Sequence, residues 1–159
     1  VPVGFKHISK KMEETDALIG GESSGGLTVR GHIAGKDGIY AATLLCEMVA
    51  KTGKRLSALY AEITDRFGAV YGADAEFVMT PAHKAALMER LRGEAGVPAF
   101  AYPVARVGLG DGCKVYFADG SWVICRFSGT EPLLRICAEA ASAARAQEYI
   151  AVWKAALSL

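Results

Sequence analysis

The chain has 159 residues, a formal net charge of +1 and 52% apolar residues, enough for one globular domain or two small ones with a real core. Its 18 lysines and arginines are spread among 17 acids, which excludes the clustered basic face of a dedicated nucleic-acid binder and makes any anion site local. No apolar run approaches the ~18 residues of a membrane span, and the start VPVGFKHISKKM lacks a signal-peptide core, so no membrane partner is expected and a cytoplasmic location is the default.

VPVGFK reads as a short extended run, as though the chain began in the middle of something, and the expectation is a piece of a longer protein. Ile8 and Met12, four apart among charged residues, predict a short helix with one apolar side. A brief strand, Ala17 to Ile19, leads into GGESSGG, where four glycines free the backbone around Glu22, Ser23 and Ser24. A carboxylate beside hydroxyls on a pliable loop suits sugar hydroxyls; a flexible surface turn explains the same residues. Gly21 to Gly25 also matches the GxSxG elbow of serine hydrolases, but the extended LTVRGHI follows where a helix is required. GHIAGKDG has the wrong spacing for a Walker loop and carries Asp37 where magnesium needs a hydroxyl.

Asp37 reads instead as the N-cap of a helix from Gly38 to about Lys51, with Ala41, Leu45, Met48 and Val49 as its buried stripe. Leu56 to Phe67 predicts a second helix, closed by Gly68, where the domain boundary is placed. AVYGADAEFVMT reads as a strand, and Thr80-Pro81 starts a helix ending near Gly93 with Leu87, Met88 and Leu91 inward. Val104 to Gly110, Cys113 to Ala118 and Ser121 to Phe127 are strand-like runs joined by Asp-Gly turns, an antiparallel meander. A further strand, Leu133 to Ala138, pairs with it, and a last helix buries Ala146, Tyr149, Ile150, Trp153 and Leu157. Cys46, Cys113, Cys125 and Cys137 show no CxxC spacing and read as structural thiols, and His7, His32 and His83 suggest no zinc cage.

Between the last two strands lies RFSGTEP, Arg126 to Pro132. Arg126 offers a planar fork of donors at the strand end, Ser128 and Thr130 offer hydroxyls, and Gly129 lets bare backbone N–H groups approach. That chemistry suits a phosphate, and a polar turn is the bland alternative. Arg135 either returns a second guanidinium to the same anion or is a solvated strand-face charge.

Taken in order, VGFK (3–6), GGESSGG (20–26) with GHIAGKDGI (31–39), and RFSGTEPLLR (126–135) resemble the C-terminal part of the α-D-phosphohexomutases, the phosphoglucomutase and phosphomannomutase family. The resemblance covers essentially the whole chain. It implies an α/β end-fragment of a sugar-binding third domain over residues 1–68. An α+β fourth domain, a four-stranded antiparallel sheet flanked by helices, is implied over 69–159. By the same resemblance Glu22 and Ser24 match residues that contact sugar hydroxyls, and Lys6 matches a lysine near the reacting centre. Arg126, Ser128, Gly129 and Thr130 match the loop that holds the non-transferring phosphate, with Arg135 added. His32, Lys36 and Asp37 match family positions, of which only Asp37 has a physical reason, its helix cap. Ser23 and Gly26 depart from common family residues and blur the choice of hexose.

The family's phosphoserine loop, of TASHNP type, and its magnesium loop, of DGDxDR type, are absent from this sequence. The resemblance therefore implies a full-length isomerase that needs Mg2+ and passes through a glucose 1,6-bisphosphate-type intermediate. It implies a hexose phosphate as substrate, N-terminal domains of the same chain as partner, and an inactive fragment. A phosphoglucosamine mutase and a stand-alone sugar-phosphate binding module are the rival readings.

Overall fold

A glycine at φ 123°, Gly4, turns the chain into its first helix, α1 (Phe5–Thr15), so the expected extended run gives way to helix at Phe5. Left-handed Asp16 ends that helix with its backbone N–H on Met12 O. The structure, a computed structural model, describes residues 1–91, 93, 96–129 and 131–159. It divides into two units, Val1–Phe67 and Gly68–Leu159.

In the first unit the brief strand falls slightly later than the sequence suggests. β1 (Ile19–Gly21) pairs antiparallel with β2 (Leu27–Val29), Gly20 opposite Thr28. A Cβ on Gly20 would meet Met12 Sδ at 2.4 Å and Ile8 Cγ2 at 2.6 Å, so the glycine is what lets the ribbon lie against the apolar side of α1. α2 (Gly38–Thr52) starts as expected, with Asp37 accepting from Tyr40 N, and ends at left-handed Gly53. α3 (Leu56–Phe67) follows.

The predicted stripe of α2 is not buried: Leu45 and Met48 are exposed, and on α3 so are Leu56, Tyr60, Ile63 and Phe67, the last at 73%. Helical spacing fixes which side chains share a face, but burial needs a second layer, and no described element of this unit lies on those faces.

The second unit is built on a five-stranded antiparallel sheet rather than the four strands expected. Its strands are β3 (Tyr71–Val78), β4 (Val104–Gly108), β5 (Cys113–Phe117), β6 (Trp122–Phe127) and β7 (Leu133–Ala140), ordered β3-β7-β6-β5-β4. The fifth member is β3, which pairs along all of β7 from Tyr71 opposite Ala140 to Val78 opposite Leu133. Without it β7 would present a long unpaired edge.

Alternation sends Cys113, Val115, Phe117, Val123, Cys125, Leu134, Ile136, Ala138 and Ala140 to one face, all buried. α5 (Ala143–Leu157), capped by Ser142, covers that face with the five expected positions, Ala146, Tyr149, Ile150, Trp153 and Leu157. Phe117 stacks on Tyr149 at 4.3 Å between centroids, and Phe100 meets Trp153 edge-on. Burial pushes the Cys125 thiol up to about 12, as befits a thiol that serves as a small apolar side chain.

α4 (Pro81–Arg90) is capped by Thr80 and places Leu91 in the core and Leu87 against it, whereas Met88, expected inward, is exposed. No helix among the described residues is long and apolar enough to cross a membrane.

Candidate functional site

In the first unit the turn carrying Glu22 and Ser24 is closed by two backbone bonds, Glu22 N to Gly26 O at 2.8 Å and Gly25 N to Glu22 O at 3.0 Å. Ser24 is exposed, while the Glu22 side chain is only 19% exposed and its carboxylate meets the Lys36 ammonium at 3.0 Å. Gly26 makes room for that pair, because a Cβ there would lie 2.3 Å from Lys36 Cδ. Lys36, in sequence only a match to a family position, here gains a role. The signal that could have found it is the small residue at 26 facing a long cation fourteen positions from Glu22, a pairing visible only once the ribbon is folded. The turn thus offers a carboxylate held in place by a neighbouring cation, with a hydroxyl beside it: an acceptor set for sugar hydroxyls.

Asp37 does more than cap α2. Its second oxygen lies 3.0 Å from His32 Nε2, and the His32 ring stacks on Tyr40 at 3.9 Å between centroids. The Tyr40 backbone bond, then the His32 contact, hold the Asp37 carboxyl below its ordinary range. That contribution is present above the unfolded carboxylate pKa and is lost as pH falls through the lowered folded value. His32 so gains a physical role, bracing the 31–37 turn that carries Lys36. Lys6, in the first turn of α1, is exposed, and no ion pair joins it to Glu22 among the described residues.

In the second unit β6 ends at the RFSGTEP loop. The loop is fastened by Ser128 N donating to Leu133 O and Met79 N donating to Pro132 O, both at 2.8 Å. Ser128 is buried, and its Oγ accepts from Glu131 N at 3.2 Å. Gly129 keeps open space where a Cβ would stand, and Thr130 lies outside the described residues.

The cations of this region lie in one row across the open face of the sheet, Glu76 opposite Arg135 on β3 and β7, and Arg135 opposite Arg126 on β7 and β6. Like charges in direct register repel. Glu76 at 2.8 Å and Glu131 at 2.7 Å answer Arg135, while no carboxylate lies within ion-pair distance of Arg126 among the described residues. The two guanidiniums, alike in sequence, therefore differ in state: Arg135 is already neutralised, and among the described residues nothing answers the charge of Arg126. A strand-end cation with no counter-ion, beside a glycine that exposes the backbone, is an arrangement ready for an anion.

Among the described residues no group of three or more His, Cys, Asp or Glu side chains is placed to hold a metal. The residues present do not supply the oxygen-rich set that Mg2+ prefers, so no chemical step of this chain is assigned to it.

Comparison with known proteins agrees with the arrangement of both units. Residues 1–67 match the phosphoglucomutase/phosphomannomutase family by its alpha/beta/alpha domain III, and residues 55–153 match the same family by its C-terminal domain. A phosphoglucomutase/phosphomannomutase of Thermococcus kodakarensis is 32% identical over 150 residues, which are 93% of this chain and 30% of the relative. A phosphoglucosamine mutase of Streptococcus pyogenes serotype M18 is 31% identical over 148 residues, 93% of this chain and 29% of the relative. The chain thus spans a little under a third of these relatives. In three dimensions it is similar to parafusin, a phosphoglucomutase of Paramecium in its open form, with a TM-score of 0.73 over 99% of this chain and 33% of that one; at 22% identity the likeness is one of fold.

Proposed function

The chain belongs to the phosphoglucomutase/phosphomannomutase family, and from that membership we propose that it is the C-terminal part of an enzyme interconverting hexose 1-phosphate and hexose 6-phosphate through a bisphosphorylated sugar. Residues 1–68 serve as the end of the third domain and 69–159 as the fourth. Glu22 and Ser24 take sugar hydroxyls, and Lys6 stands near the reacting centre. Arg126, Ser128, Gly129 and Thr130 hold the phosphate that is not being transferred, with Arg135 at its edge. The unanswered charge of Arg126 beside open Gly129 is the observation that carries this reading. Arg126 clamps two phosphate oxygens with parallel N–H donors, and the glycine lets backbone approach a third.

Holding and transferring are separate tasks. The donor serine and the Mg2+ that would neutralise the transferring group belong, in this proposal, to N-terminal domains of a longer chain, which also cover the exposed apolar faces of α2 and α3. That enzyme works in the cytoplasm. A phosphoglucosamine mutase is the second reading, supported by the Streptococcus relative, while the departures at Ser23 and Gly26 leave the hexose open between the two.

The purified 159-residue chain, given glucose 1-phosphate and Mg2+, is expected to yield no glucose 6-phosphate, and the reading frame before Val1 is expected to encode TASHNP-type and DGDxDR-type loops. Turnover by the chain alone, or a frame without either loop, contradicts the proposal.

A further inference from the structure

A phosphate monoester carries about −1.5 to −2 charge near neutral pH. Among the described residues, the site described above answers it with one guanidinium that has no carboxylate partner, Arg126, since Arg135 is matched by Glu76 and Glu131. Half of the ligand's charge has no counterpart.

A second cation stands at the same loop. The junction of β3 and α4 and the loop's far side border an open, shallow recess of about 270 Å³ lined by Met79, Pro81, Lys84, Gly129, Glu131 and Pro132. Lys84 is half-buried, its ammonium 5.7 Å from the centroid of the Phe127 ring. Phe127 neighbours Arg126 on β6 and by alternation points to the other face, so Lys84 flanks the loop on the side away from Arg126. Among the described residues no carboxylate pairs with Lys84; Glu131, which shares the recess, is taken by Arg135.

Its position is costly as plain helix surface. Lys84 is the fourth residue of α4, near the positive end of the helix dipole, where a cation is disfavoured, and the first turn holds no acid to offset it. An anion in the recess would relieve that repulsion and gain an ammonium contact.

We propose that Lys84 is a second phosphate-binding residue of this site, its ammonium contacting the phosphate across Gly129 from Arg126. The proposal rests on the reading of RFSGTEP as a phosphate loop. It makes the clamp two-sided: a fork of donors on one face, a mobile point charge on the other, and glycine backbone between.

Inorganic phosphate titrated into the 159-residue chain tests it. Lys84→Gln, which keeps length and removes charge, is expected to weaken binding about tenfold, and Lys84→Arg to restore most of the loss. Thermal midpoints of both variants should match the parent's, because the side chain is half-exposed and outside the core. Parent-like affinity in Lys84→Gln, or a loss that Lys84→Arg does not restore, overturns the proposal. Arg126→Ala measured alongside separates the two claims. If it weakens binding while Lys84→Gln does not, Lys84 alone falls; if neither weakens binding, the loop reading falls with it.

Discussion

Trp153→Ala is expected to destabilise the second unit by about 3 to 5 kcal/mol, the cost of emptying a fully buried aromatic site whose surroundings cannot close. Trp153 is entirely buried on the covered face of the sheet, fourth in the row Ala146, Tyr149, Ile150, Trp153, Leu157 that α5 turns inward. Losing it removes one of the three rings that Phe100 meets edge-on and uncovers the strand residues beneath. Trp153→Phe should cost much less: it keeps most of the ring, and the indole Nε1 that it deletes has no hydrogen-bond partner among the described residues. Urea unfolding followed by the other tryptophan, Trp122 on β6, reads this unit in both variants. Equal midpoints for Ala and Phe would show that the α5 face is not the core of the unit.

Gly112→Ala carries the second large effect, and it reaches the candidate site. Gly112 sits at φ +90°, and a Cβ built on it would lie 2.5 Å from Arg126 Cβ and 2.6 Å from Cys125 O. Two costs coincide, a backbone conformation that L side chains avoid and a clash with strand atoms that cannot swing away; together about 2 to 4 kcal/mol is expected. Relief requires β6 to shift where Arg126 leaves it, so phosphate affinity should fall as well. Gly120 is the control, with φ +88° and nothing within 4 Å of its Cβ position. Gly120→Ala carries only the conformational cost, about 1 kcal/mol, and leaves phosphate binding unchanged. Thermal melts and phosphate titration of the pair check this, and equal losses would mean that contact with Arg126 is not what Gly112 permits.

The features legible in the sequence were those written in neighbouring residues. The two Asp-Gly turns, the caps at Asp37 and Thr80, and the inward face of α5 each depend on a few adjacent positions, and the structure has them all. RFSGTEP was legible as a loop for the same reason. What remained hidden depends on distant partners. Tyr71–Val78 reads as a strand, but its place beside β7 as the fifth member of the sheet appears only in the fold, and with it the neutralisation of Arg135 by the Glu76 that this pairing sets beside it. Lys36 reaches Glu22 through ribbon geometry that Gly26 permits. The stripes on α2 and α3 are real, but a helix face says nothing of what covers it.

The most direct test of the whole account is a titration of glucose 1-phosphate into the 159-residue chain and its Arg126→Ala variant, with free glucose as reference. The phosphate ester should bind the parent more tightly than glucose does, and Arg126→Ala should remove about 1 to 3 kcal/mol of that affinity while the melting temperature stays put. Equal affinity of parent and variant for the ester would contradict it.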